Sequence, residues 1–400
     1  MKGINNSENG NFSYVHSVLQ SLCCLDIADE ILQIKFENIP NHWLLSKELY
    51  SLIFVVKHGS EGVSDLIVQK FKEYYYNNQE KIESKNVLKE DPFHFLYFFL
   101  QFVHLESNCP KNPNFVLPQD DLNNKKNDEH MYNSYINYIN QFHNSLISLY
   151  FYDLEKYTYK CPQCTQYFSY GMKTVLRISF EEVKEYRSLK KPMKSNQIID
   201  LDDCLNYYSD EKFSTCEFCG NNKIFKKIQL CTPAKVLIFS LERKSHNFFK
   251  DINFPVDLDI NNYICKERNN NYNTIYKLKS CIYFDHNLEK FFADCYIKYK
   301  GTENLYRFID DQISIVNNNQ STNYEPQVLI YELVNQNINY STNSNLPFLN
   351  QFNPLNNTNS FLNNLNYTQS NSSASASSYS NNYQNISSNN NSANINNNFN

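Results

Sequence analysis

With 400 residues, 41% of them hydrophobic and 60 of them Tyr or Phe (31 and 29), the chain has material for one large or two ordinary domains around an aromatic core. A formal net charge of -5 argues against a nucleic-acid binder driven by a basic field. The polar start Met1-Lys2-Gly3-Ile4-Asn5 carries no apolar signal region, and the most apolar stretch, residues 93–103, is too short to cross a bilayer, so no membrane partner is expected.

Taken in chain order, the first half reads helical. Val15, Val18, Leu19 and Leu22 recur at helical spacing behind Asn11 and Ser13, either of which can cap a helix. Phe95, Tyr97, Phe98, Leu100, Phe102 and Val103 make a second helix, apolar nearly all round and therefore buried. Residues 111–128 and 185–196 are polar and read as loop insertions. From Tyr157 onward strands dominate. The runs at 236–239, 281–284, 295–299 and 328–331 are β-branched and aromatic, bounded by turn residues. Beyond residue 334 the chain is mostly Asn and Ser, a composition that buries too little apolar surface to offset ordering entropy. A helical half followed by a strand-rich half is an α+β arrangement.

Twelve cysteines without a secretory signal point to a reducing compartment, cytoplasm or nucleus, and to thiols and metal ligands in preference to disulfides. Four of them form two knuckles, Cys161-Pro162-Gln163-Cys164 and Cys216-Glu217-Phe218-Cys219. Two residues between thiols let both sulfurs reach one ion, and two such knuckles complete a tetrahedral set for structural zinc. Four thiolates leave no open coordination position, which excludes a catalytic ion there.

Several short segments then fall into a familiar order. Gly10-Asn11-Phe12-Ser13-Tyr14-Val15-His16-Ser17 is similar to the Gly-Asn-Thr-Cys-Tyr-Met-Asn-Ser signature of ubiquitin-specific proteases. Glu90-Asp91-Pro92-Phe93-His94-Phe95-Leu96 resembles that family's Gln-Asp-Ala-x-Glu-Phe-Leu, and His104-Leu105-Glu106 its His-x-Glu. The zinc knuckles, the stretch from Thr232 to Arg243, the Phe254-Pro255 block, Tyr276-Lys277-Leu278 and Val328-Leu329-Ile330-Tyr331 follow in sequence. The resemblance covers almost all of residues 3–334. It implies a papain-like cysteine-protease fold of the ubiquitin-specific type. The thumb would be residues 1–150, the zinc-tipped fingers 151–230 and the palm 231–334, with a disordered tail at 335–400. It also implies ubiquitin, a ubiquitin-like protein or another protein as partner, with no direct nucleic-acid contact.

The family's chemistry needs a thiolate, a His that accepts its proton and an acid that orients the His. At the matching positions here stand Ser13, Cys295 and Asp310, and Glu8 replaces the oxyanion-binding Asn. A carboxylate at that place would repel a developing oxyanion, although a two-residue shift would bring Asn6 there. The resemblance therefore implies a degenerate, non-cleaving member. Two alternatives stay open: an active enzyme with rearranged residues, such as Cys295 served by His16 or His286, and a scaffold in an RNA-processing assembly.

Overall fold

A single helix, α1 (Ser13–Cys23), organises the molecule, because it is buried along its whole length. The computed structural model describes residues 12–34, 36–58, 64–77, 91–117, 121–190, 198–243, 252–268, 273–299, 301–316 and 324–334. Of these, residues up to Tyr74 and from Asp91 onward form one compact unit, and Tyr75–Asn77 fall outside it. Glu8, Asn6 and the tail 335–400 lie outside the described residues.

Helix α1 has two faces. Tyr14, Val15, Val18, Leu19 and Leu22 are buried apolar residues, and the helix packs on α3 (Leu44–His58) and α5 (Pro92–Ser107), with the Tyr14 and Phe95 rings edge to face at 6.2 Å. Its other side carries small residues, Ser13, Ser17 and Ser21, continued by Cys24. Small side chains let a helix lie close to a sheet, and this side meets the strands described below. Short α2 (Ile27–Leu32) sits between them in sequence, and α4 (Ser64–Asn77) contributes Phe71, whose ring meets Phe95 at 4.6 Å. Helix α5 begins as its sequence dictates. The Asp91 side chain accepts from the His94 N–H at 2.9 Å, and Pro92 occupies the first turn, where no N–H is needed. Asn11 is not described and Ser13 does not cap α1: Phe12 stands at the N-cap and Ser13 is the first helical residue.

Three further helices, α6 (Leu122–Lys125), α7 (Asp128–Phe142) and α8 (Leu146–Phe151), lead into the strands. The expected loop at 111–128 thus contains a helical turn. A four-stranded sheet has the order β2 (Thr165–Lys173), β1 (Asp153–Cys161), β6 (Ile224–Thr232), β5 (Lys212–Ser214). Between its strands in sequence come β3 (Leu176–Ser179), α9 (Phe180–Lys190), β4 (Ile199–Asp200) and α10 (Leu201–Ser209). Residues 185–190, expected as loop, are the second half of α9, anchored by buried Phe180 and Val183 in its first half.

The larger, eight-stranded sheet runs β13 (Gln312–Ile315), β12 (Thr302–Ile309), β11 (Lys290–Tyr299), β10 (Ile275–Asp285), β14 (Glu325–Leu333), β7 (Val236–Glu242), β3, with β9 (Asp257–Asp259) paired to β10; β8 (Ile252–Asn253) pairs with β4. The strand runs expected at 236–239, 281–284, 295–299 and 328–331 all lie in it. One face packs Phe239, Tyr276, Phe292 and Tyr331 into the core. The opposite face receives α1 on β10 and β11. None of the described helices is long and apolar enough to cross a membrane.

Candidate functional site

The contact between α1 and β11 places the sequence-derived candidates. Ser13, at the first turn of α1, is 1% exposed, and its Oγ accepts the backbone N–H of Phe291 at 3.0 Å. Further along the same helix Ser21 Oγ meets Ser280 Oγ at 2.7 Å. At its far end Cys24 contacts Cys295. Because side chains alternate along a strand, Phe291, Ala293 and Cys295 share the face that looks at α1. Cys295 is thus four residues beyond the strand position beside Ser13, about 13 Å along β11. The structure brings Ser13 to the Phe291 end and leaves Cys295 at the other.

Cys295 lies fully buried among Cys24, Ala293 and Phe308, with Ser280 Oγ 3.5 Å away. Burial, followed by the contact with Cys24, pushes its thiol well above the ordinary value. His286, in the turn before β11, spends its Nε2 on Glu325 at 2.8 Å.

Asp310 does reach the Ser13 end. It sits in the tight turn between β12 and β13 with φ 51°, a left-handed conformation that Asp tolerates better than most residues. Its Oδ1 lies 3.4 Å from His16 Nδ1 and its Oδ2 takes the Lys290 ammonium at 3.1 Å. The His16 hydrogen bond, with Lys290 adding to it, holds the Asp310 carboxyl below its ordinary value despite partial burial. Sequence reasoning offered His16 only as a base for Cys295 and assigned no role to Lys290. The only signal was that His16 falls one helical turn after Ser13, on the same side of α1.

A second constellation stands at the end of the four-stranded sheet. Cys161, Cys164, Cys216 and Cys219 bring their sulfurs within 4.8 Å of one another, and Cys161 and Cys219 are 3.6 Å apart. A tetrahedral ion with arms of roughly 2.3 Å needs sulfur–sulfur edges of about 3.8 Å. Both knuckles close through left-handed residues, Thr165 at φ 67° and Gly220 at φ 70°. The Cys164 N–H points at Cys161 Sγ at 3.4 Å and Tyr167 OH at Cys216 Sγ at 3.6 Å. Although burial opposes it, the backbone amides of Cys219 and Phe218 bring the Cys216 thiol down to about 6. The donor set fits a structural metal ion.

A buried helix laid on a strand-rich sheet, an acid in the turn opposite its first residue and a four-thiol ribbon define a papain-like fold of the ubiquitin-specific-protease type. The family model described as ubiquitin carboxyl-terminal hydrolase matches residues 2–331, and the chain belongs to that family. It is a deubiquitinase-like domain. No curated protein matches it significantly. Among solved structures it is similar to the yeast SAGA DUB module with an Sgf73 mutant, at 17% identity and TM-score 0.54 over 84% of this chain and 69% of that one. An Ubp8/Sgf11/Sus1/Sgf73 module bound to ubiquitin aldehyde matches at 17% and 0.53, over 84% and 70%; a form bound to monoubiquitin matches at 15% and 0.53 over the same shares. At such identities the likeness shows the fold alone.

Proposed function

We propose that the domain binds ubiquitin, a ubiquitin-like protein or another protein without cleaving it, working in the cytoplasm or nucleus. Its hand would have residues 1–150 as thumb, 151–230 as fingers and 231–334 as palm. The observation that carries the reading is the face of β11 beside Ser13. It presents Phe291, Ala293 and Cys295, none of which accepts a proton as an imidazole does, while the acid that would orient such a ring is engaged by His16 and Lys290. Serine needs a base more than cysteine does, because its hydroxyl is a weak nucleophile at neutral pH. Ser13, Asp310 and, by sequence position, Glu8 then mark a vestigial site, with Phe291 where the base would stand and Cys295 outside it. The partner class rests on the family and on Ubp8 modules solved with monoubiquitin and ubiquitin aldehyde. The four cysteines hold structural zinc in this reading, the soft tetrahedral donor set that suits that ion.

The test is a ubiquitin pull-down paired with a ubiquitin probe carrying a C-terminal electrophile. Retention of ubiquitin with no adduct is expected. An adduct on the unmodified protein overturns inactivity, and failure to retain ubiquitin or any ubiquitin-like protein moves the partner to another class.

One observation favours a second reading, in which the site is active with rearranged residues. The His16–Asp310 pair is an acid–imidazole couple one helical turn from Ser13, and acid, imidazole and hydroxyl are the three parts of a serine-hydrolase triad. Hydrolysis of a ubiquitin C-terminal ester that is lost in both Ser13→Ala and His16→Ala would establish it.

A further inference from the structure

Away from that site, two cysteines meet where the four-stranded sheet joins the segment after β9. Leu230 of β6 pairs in parallel with Ile264, and the Cys265 N–H donates to Leu230 O at 2.6 Å. The next residue on both segments is a cysteine. Neighbouring extended backbones lie about 4.8 Å apart, inside the Cα separation of about 4.4–6.8 Å that a disulfide accepts. Cys231 and Cys265 accordingly contact each other, both free and both 0% exposed.

Their surroundings differ from those of an inert core thiol. Cys265 Sγ donates to Glu267 Oε2 at 3.3 Å. The same oxygen takes the buried Lys156 ammonium at 2.8 Å, and Lys156 also reaches Asp128 at 2.9 Å. Asp128 and Glu267 both line a shallow, open surface pocket, which also carries Lys126 and Phe168. The Cys231 hydrogen bond, helped by Lys156, lowers the Cys265 thiol against burial and Glu267. The two thiols are buried behind this surface, and Cys265 has a base, a cation and a resolving partner beside it, the base, Glu267, itself facing the pocket.

We propose that Cys231 and Cys265 are a redox site that closes to a reversible disulfide when the protein meets a peroxide. Cys265 passes its proton to Glu267 and its sulfur attacks one peroxide oxygen. The O–O bond breaks, the departing hydroxide is protonated to water, and Cys265 becomes a sulfenic acid. Cys231 sulfur then attacks that sulfur, the S–S bond forms, the S–O bond breaks, and a second water leaves with the Cys231 proton. Two thiols are oxidised and one hydrogen peroxide is reduced to two waters. The product staples β6 to the segment after β9, and a dithiol reductant reopens it.

The experiment uses the full chain in its metal-loaded form. After brief exposure to hydrogen peroxide, free thiols are alkylated and peptides mapped without reduction. The expected result is a linked pair of peptides holding Cys231 and Cys265, lost after dithiothreitol. Cys231→Ser should leave Cys265 as a sulfenic acid that dimedone traps; if this variant does not fold, the wild-type map alone decides. Full alkylation of Cys231 and Cys265 at a dose that oxidises the partly exposed Cys109 would overturn the proposal, as would pairing of either with a different cysteine.

Discussion

Ser13, Asp310 and Cys295 show how far one residue's place along a strand matters. Catalysis needs reacting groups about 3–3.5 Å apart, and four strand residues separate Cys295 from the position that holds Ser13. An imidazole introduced at 295 would face Cys24 in a closed apolar cluster. One introduced at half-buried Phe291 would stand beside Ser13, at the Asp310 end of the strand. Ser13→Cys alone should therefore stay unreactive toward a ubiquitin electrophile, since an unassisted thiol is mostly protonated at neutral pH. Ser13→Cys with Phe291→His should label at least about tenfold faster than Ser13→Cys with Cys295→His, a fraction of the roughly 10²–10⁴-fold that a general base supplies. Equal rates in the two double variants would refute this placement. Labelling kinetics followed by intact mass measure the difference.

At the scale of elements, two devices can be tested by removal. Helix α5 is started by Asp91, and its Phe95, Phe99 and Phe102 fill the space around α1 and α4. Asp91→Ala should cost about 1 kcal/mol through the lost cap, whereas Phe99→Ala should cost about 3–5 kcal/mol through the cavity it leaves. Urea titrations at constant m-value distinguish the two, and an Asp91→Ala loss as large as that of Phe99→Ala would contradict the assignment. The four-thiol ribbon ties the β1–β2 hairpin to the Cys216–Cys219 knuckle before β6. Chelation should release about one zinc per chain and open amide exchange in residues 153–173 and 224–232 well before the larger sheet responds. Absence of zinc from protein purified without chelator would count against the ion itself.

For the whole molecule, acid sensitivity follows from groups that folding forces out of their usual charge state. His104 and His143 lie in contact at 3.1 Å, and His104 Nδ1 meets Ser145 Oγ at 2.6 Å. Burial, with His143 nearby, brings His104 down to about 3, and burial brings His143 down to about 4. Both are neutral in the folded and unfolded states above about pH 6.5, so they add no pH dependence there. Below it the unfolded chain takes up two protons that the fold refuses, and stability falls. Glu332 runs the other way. Burial, reinforced by Asp26, holds it up to about 7 while it accepts the N–H groups of Asp26 and Ile27, so its contribution weakens as pH rises from about 4.5 toward 7. The two histidines should make stability fall as pH drops from 6.5 to 4.5, while Glu332, and with it Asp153 and Glu106, whose carboxyls burial also raises, work against that fall. Urea midpoints across this range check the direction, and assigned His104 and His143 imidazole NMR signals that titrate near 6.5 would refute the buried, neutral pair.

Local sequence carried a good deal of this protein. Periodicity and turn chemistry marked α1, α5, β7, β10, β11 and β14, because burying one face imposes a repeat that one chain displays unaided. The paired knuckles announced a four-thiol cluster, since two residues is the spacing at which neighbouring thiols converge. Side-chain polarity misled at 185–190, where Phe180 and Val183 anchor a helix whose remaining faces are solvated. Which strand residue faces Ser13 was beyond such reasoning. A motif can be aligned at Cys295, but which strand residue stands beside Ser13 depends on how α1 lies across β11, and neither sequence contains the other's coordinates. The same holds for His16 with Asp310, 294 residues apart, and for Cys231 with Cys265. Short-range spacing reports the contacts a segment makes with itself. Contacts between distant segments come into being only when packing chooses a register, and here that choice decided which side chains share a site.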